Sequence, residues 1–275
     1  MVDLSRRKTI LGMGLLAAGS GATFTSATFQ NSVNPGADFR IVAAAQTIVR
    51  RGPAFEDGED SELDDWAQQE FLNFDELNPG DLPAAGANEN QNDGLDVSLA
   101  RQNSASEIRF SNFLEIDNTG TTEVNIGMTY AIDDDGEVSG YAQDDAPDWF
   151  NDDYEDDLGN DTLSRLDVLK MFKFEIPGDR LGDLANESGG SNLLLSPSPD
   201  DAETNGWTDG TAEEPSDFVT LGPGESITVD LVTELTGDQV SILADEAAGA
   251  TGNPFDGNET DDFQLLDSAF VGTEQ

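Results

Sequence analysis

Apolar and polar positions alternate most cleanly in EIRFSNFLEIDNTGTTEVNIGMTYAID, residues 107–133. Ile108, Phe110, Leu114 and Ile116 share one face, with Glu107, Arg109, Ser111 and Glu115 opposite them, and Phe113 interrupts the pattern. After Asn118-Thr119-Gly120 the alternation resumes through Val124, Ile126, Met128, Tyr130 and Ile132. Period two with one apolar face predicts a half-buried antiparallel hairpin. ESITVDLVTEL, Glu225 to Leu235, follows a Gly222-Pro223-Gly224 turn and predicts another strand through Ile227, Val229 and Leu231. Shorter strand candidates are Ala27–Val33, Asp38–Ala44, Leu95–Ala100, Lys170–Ile176, Asn192–Leu195 and Phe263–Val271. Between Ser61 and Leu77, Leu63, Trp66, Ala67, Phe74 and Leu77 recur at helical spacing. A Ser61-x-x-Asp64 start and a Pro79-Gly80 stop predict one amphipathic helix there. Asp161–Leu169 suits a short helix leading into a strand.

Many short strands, Gly and Pro turns and no βαβ alternation predict an all-β chain. The architecture expected is an antiparallel β-sandwich, jelly-roll-like, with one amphipathic helix and a long acidic insertion. The expected organisation is a signal over 1–22 and a single β-sandwich domain over 23–275, with the insertion at about 133–217.

The signal reading comes from SRRKTILGMGLLAAGSGA, residues 5–22. Basic residues precede an apolar run, Ile10–Ala18, and small residues follow, the order of a secretory signal. A spanning helix needs about 20 apolar residues, and this run has about half that. Arg6 and Arg7 directly before the run match a twin-arginine export address, and cleavage is expected after Ala22. The expectation is a secreted or cell-surface protein with the twin-arginine machinery as a partner. No later apolar run reaches spanning length, so no transmembrane anchor is expected.

Charge sharpens this picture. There are 57 Asp plus Glu against 12 Lys plus Arg, a net −45. Removing residues 1–22 takes away three positive charges and one negative, so −45 becomes −47. Such a surface repels itself at low ionic strength and is tolerated where molar salt cuts the screening length to about 3 Å. With an ordinary 36% hydrophobic residues, the chain reads as a folded halophilic protein. Nucleic acid is excluded as a natural partner, because phosphate binding needs a basic face. With no Cys and no His, thiolate chemistry, Ser-His-Asp catalysis and histidine zinc sites are excluded too. No enzyme and no required cofactor are expected.

Asp133 to Asp161 holds thirteen acidic residues and no basic one. Calcium takes six to eight oxygen ligands, and Asp152, Asp153, Glu155, Asp156 and Asp157 are the candidates, though solvated halophilic loops have the same composition. Asn160, Asn186 and Asn258 open Asn-x-Ser/Thr sequons in predicted loops and are candidate glycosylation sites. Trp149, Phe150 and Tyr154 beside the acids suit either a sugar platform or a loop pinned to a sheet.

The order of signal, GATFTSATFQNSVNPGADFRIVAAA, FLEIDNTGTTEVNI and LGPGESITVDLVTEL resembles secreted haloarchaeal β-sandwich proteins of unassigned function. That group is similar to the TasA and camelysin family of secreted filament subunits. The resemblance spans about 5–45, 95–132 and 218–236, and the acidic stretch departs from it. It implies an extracellular structural subunit of a surface, biofilm-matrix or filament assembly. Its N-terminal segment would complete a neighbour's sheet, with Phe24, Phe29 and Val33 as the inserted side chains of Thr23–Val33. The alternative is a monomeric secreted binding or adhesion module that uses the acidic insertion. The metalloprotease activity associated with camelysin does not transfer to a chain without histidine.

Lowering salt from molar to about 0.1 M, where the screening length reaches about 10 Å, is expected to unfold the protein. Circular dichroism on dialysis measures this, and an unchanged spectrum would contradict it.

Overall fold

The computed structural model of the chain describes residues 29–30, 36–43, 46–55, 67–69, 83–90, 94–100, 106–131, 150–151, 158, 162–200, 202, 215–242, 262–263 and 268–273. These residues are mostly β, with largely antiparallel sheets, as the alternation predicted. In chain order the strands are β1 (Phe29–Gln30), β2 (Gly36–Ala43), β3 (Thr47–Arg51), β4 (Ala67–Gln69), β5 (Ala84–Asn90), β6 (Gly94–Ala100), β7 (Ser106–Asn118) and β8 (Val124–Ala131). They continue with β9 (Phe150–Asn151), β10 (Leu163–Ser164), β11 (Phe172–Ile176), β12 (Leu193–Leu194), β13 (Val219–Leu221), β14 (Ser226–Leu235), β15 (Asp262–Phe263) and β16 (Ser268–Thr273). Two short helices, α1 (Arg165–Met171) and α2 (Gly178–Leu181), flank β11.

One sheet runs β12-β11-β14-β7-β3 and is antiparallel throughout. The nine-stranded sheet runs β13-β8-β16-β2-β6-β5-β4, with β1 attached to β2 and β15 to β1. Within it β16 lies parallel to β2 and β4 parallel to β5. β9 and β10 form a separate parallel pair. Residues of both large sheets enter one hydrophobic cluster, including Ile41, Leu95 and Met128 from one and Phe110, Ile116, Phe174 and Leu231 from the other. Ile227, Val229 and Leu231 of β14 alternate into it, each burial giving about 1.5–3 kcal/mol.

β7 and β8 are not a hairpin. β7 pairs with β14 and β3, β8 with β16 and β13, so the chain crosses between sheets at residues 119–123. Alternation had marked the inward faces of both strands correctly but carries no information about partners. Asn118, 1% exposed, fixes the crossing. Its Nδ2 donates to the carbonyls of Thr122, Leu221 and Gly222, and its Oδ1 accepts from the Gly120 amide.

The amphipathic helix predicted over Ser61–Leu77 does not form across Ala67–Gln69, which is strand β4 paired with β5. Ladder pairing overrides the helical spacing there, since propensity is a weak prior; the rest of that range lies outside the described residues. Part of the stretch read as an acidic insertion is core. β11 pairs with β14, and Leu166, Leu169, Phe172, Phe174 and Ile176 are buried. Of the helix suggested over Asp161–Leu169 the C-terminal part is found, in α1 (Arg165–Met171), which leads into β11 as expected, whereas Leu163–Ser164 is strand β10.

β7 and β14 are joined through a β-bulge. Val229 faces Leu114 and Leu231 faces Phe110, so Ser111, Asn112 and Phe113 oppose Asp230 alone. Two extra residues preserve parity, which keeps Phe110 and Leu114 on the same face. They also let Phe113 bury fully, edge-on to both Phe55 and Phe110. The interruption seen in the sequence at Phe113 is this bulge. Asn112 carries it with φ 51°, a left-handed conformation that Asn tolerates. Gly52 packs on its backbone, donating from its amide to the Phe113 carbonyl at 3.0 Å. A Cβ at Gly52 would stand 1.9 Å from the Asn112 carbonyl oxygen.

Gly52→Ala is therefore expected to push β3 off the bulge and lower stability by about 3 kcal/mol, the upper end for overpacking, because backbone must move. Denaturant titration in molar salt measures this, and a loss under about 0.5 kcal/mol, the scatter of neutral surface changes, would contradict it.

Candidate functional site

The bulge places Asp230 at the centre of the five-stranded sheet, on the face away from Val229 and Leu231. Its side chain is 2% exposed and receives three donors. Oδ1 accepts from the Asn112 amide at 2.9 Å and from Arg180 Nη1 at 2.7 Å. Oδ2 accepts from Arg109 Nη1 at 3.2 Å. Arg109 Nη2 also donates to Glu175 Oε2 at 2.6 Å, and Glu175 stands beside Asp230 in the β11–β14 register. Two carboxylates and two guanidinium groups make a locally neutral quartet. One row further along, Lys173 Nζ bonds Glu234 at 2.6 Å.

Local sequence delivers each member. Arg109 occupies the polar phase of β7, directly opposite Val232, with Lys173 on that valine's other side. Val232 is 1% exposed, and the aliphatic stems of Arg109 and Lys173 lie beside it. Arg180 is brought in by α2, which starts after Pro177, where a missing amide costs nothing. Asn192 bridges the arrangement, accepting from the Gly178 amide and donating to Glu175. Gly178 admits the chain at Gly190, since a Cβ there would lie 2.0 Å from that carbonyl oxygen. Burial by itself would lower the Arg109 pKa, but hydrogen bonds and charge from Glu175 and Asp230 outweigh it and raise the value. Asp230, holding three donors and two positive neighbours, is a fixed acceptor; the quartet orders backbone and side chains of three strands.

A second polar centre lies under α1. Asp167 is 1% exposed and accepts from the Ser164 amide and hydroxyl, an N-terminal cap for the helix. Gln239 Nε2 donates to its other oxygen at 2.7 Å. Burial pushes its carboxyl pKa up, opposed by Gln239 and Ser164. Gln239 belongs to a capping box, its Oε1 accepting from the Thr236 amide while its own amide donates to Thr236 Oγ1. Tyr130, buried in β8, donates its hydroxyl hydrogen to the Phe172 carbonyl at 2.8 Å, linking the two sheets, and burial raises its pKa.

Of the residues singled out in the sequence, Arg6, Arg7, Ala22, Phe24, Val33, Asp152, Asp153, Glu155, Asp156, Asp157, Asn160 and Asn258 lie outside the described residues. Phe29 is in β1, opposite Phe263. Asn186 is exposed and donates from Nδ2 to Glu123. Among the described residues no group of three or more carboxylates is placed to hold a metal ion. No helix among them is long and apolar enough to cross a membrane. The Asp230 quartet was missed, although two signals pointed to it: Arg109 is the one cation on the polar face of its strand, and Phe113 breaks the phase beside it. Comparison with protein-family models, curated proteins and solved structures finds no match to the chain.

Asp230→Ala would leave Arg109 and Arg180 partly buried without their shared partner and free the Asn112 amide. A loss of about 3 kcal/mol is expected, the lower end for a broken buried pair, because both guanidinium groups keep some water contact. Denaturant titration checks this; a loss below about 1 kcal/mol, the range of exposed pairs, would contradict it.

Proposed function

We propose that the chain is an exported, non-enzymatic structural protein suited to high salt, a jelly-roll-like β-sandwich that serves as a surface or matrix subunit. Copies associate by strand addition, with Thr23–Val33 as the added strand. The observation that carries this reading is the place of β1. It sits off the main run of strands, with Phe29 and Gln30 against Phe263 and Asp262, and Gln30 against Gly36. A strand set off the main run can leave its own sheet and regain the same kind of ladder on a neighbour. An interior strand such as β14, paired with β7 from Ser226 to Leu235 and with β11 from Asp230 to Thr233, has no such freedom.

The alternative, a monomeric binding or adhesion module, draws on the same contact, because β1 finds its partners within its own chain. Export by the twin-arginine route and calcium at Asp152–Asp157 belong to the proposal equally. Sedimentation of the secreted protein in molar salt, with and without Thr23–Val33, separates the two readings. Fibres that pellet from the intact protein and vanish on deletion are the expected result. A compact monomer at high concentration from the intact protein would overturn the structural reading and favour the module.

A further inference from the structure

We propose that residues 184–188 are an edge guard, which closes the outer edge of β13 against the same edge of a second copy. β13 ends the nine-stranded sheet and, among the described residues, pairs with β8 alone, as Val219↔Ile126, Thr220↔Asn125 and Leu221↔Val124. In an antiparallel pair, alternate residues turn their amides toward the partner and away from it. The Thr220 amide turns away from β8 and donates to Glu187 Oε1 at 2.8 Å. Gly222, two residues on in the same phase, donates its amide to Glu225 Oε2 at 2.7 Å. Beyond β13 the ladder of β8 is closed too, the Met128 amide donating to the Leu195 carbonyl at 2.9 Å. An added strand needs outward amides for its own carbonyls. Here carboxylates of the same chain hold them, so a neighbour joins only by displacing Glu187 and Glu225.

The guard is tied down along its length. Leu184 is buried, the Ala185 amide donates to Glu225 Oε1 at 3.4 Å, and Asn186 Nδ2 donates to Glu123. Glu225 thus joins edge and guard, with one oxygen on each. The edge beneath would otherwise be adhesive. Phe218 adjoins it, is 38% exposed, and rests with Pro215 on Gly127, where a Cβ would lie 2.6 Å from Pro215 Cβ. Open amides beside an exposed ring are a template for edge-to-edge joining. Charge alone does not prevent this. The net −45 repels copies at a distance, but molar salt cuts the screening length to about 3 Å, and caps in direct contact with the amides persist there. The guard goes beyond the subunit reading and serves a monomeric module equally, since either must keep this edge to itself.

The chain has no cysteine, so one introduced thiol reports on this edge. Two-fold pairing of β13 with its copy sets Thr220 opposite Thr220 at a Cα separation of about 5.5 Å, within reach of a disulfide. The full chain carrying Thr220→Cys is oxidised with oxidised glutathione in molar salt and run on a denaturing, non-reducing gel. Three forms are compared: Glu187 intact, Glu187→Gln and Glu187→Ala. Both changes remove the same charge, but Gln keeps an acceptor for the amide of residue 220 and Ala does not. Glu187→Ala is expected to raise the yield of covalent dimer about tenfold over the other two, the worth of one net hydrogen bond. Glu187→Asp, a methylene shorter than Glu with its charge kept, is expected to follow Ala, and it replaces Ala should near-ultraviolet circular dichroism show that variant unfolded. Equal dimer yield across the series, whether high or low, overturns the proposal, and so does a yield that rises as much with Gln as with Ala.

Discussion

Much of the described structure hangs on one carboxylate. Asp230 holds the Asn112 amide, Arg109 and Arg180 at once, and through them the bulge of β7, the polar row of β11 and the short helix after β11. β14 is the middle strand of its sheet, so β7 and β3 on one side and β11 and β12 on the other attach through it. The bulge itself has an unfavourable element, a non-glycine residue at positive φ. Such a conformation persists where its surroundings over-determine it. Here the Asp230 acceptor on one side and Gly52 against the backbone on the other do so.

The same carboxylate shows how an acidic chain distributes its few cations. Outside residues 1–22 there are nine basic side chains, and none follows Arg180. Seven of them, Arg50, Arg51, Arg109, Arg165, Lys170, Lys173 and Arg180, lie on the five-stranded sheet or on α1 and α2. Arg50 pairs with Asp117, Arg109 and Lys173 pair across strands, and Arg180 reaches from α2 to Asp230 of β14. Ion pairs thus join β-rows that would otherwise carry like charges side by side. The nine-stranded sheet follows another solution at its β8–β16 seam, which has no charged residues at all. The five-stranded sheet is joined by paired charge, while in the nine-stranded sheet Arg40 of β2 stands opposite Asp96 of β6 and the β8–β16 ladder carries no charge.

Alternation made the long strands legible, because β7 and β8 bury mainly one face and β14 alternates at Ile227, Val229 and Leu231. It could not reveal that β7 and β8 pair with different sheets, since the partner is chosen by distant segments. β5, AAGANEN, was invisible for another reason. Its residues have poor strand propensity, yet β5 is paired on both sides and Ala84, Ala85 and Ala87 are fully buried. β3 was missed beside its arginines, and β4 was hidden under a helical spacing. The site was legible only as an anomaly, the misplaced Phe113. Asp230 looks like an ordinary polar-face residue until the two extra residues of β7 are counted against it. The signal, the acidic loop and two of the three sequons lie outside the described residues, and their readings rest on local composition alone.

The most direct measurement of this account is hydrogen exchange at the Asn112 amide in molar salt. That amide points to a side chain where a regular ladder would offer it a carbonyl, so its protection reports the clamp alone. The account predicts protection equal to that of neighbouring amides in β14, rising and falling with them as denaturant is added. Exchange at the rate of an unstructured chain, with β14 still protected, would contradict it.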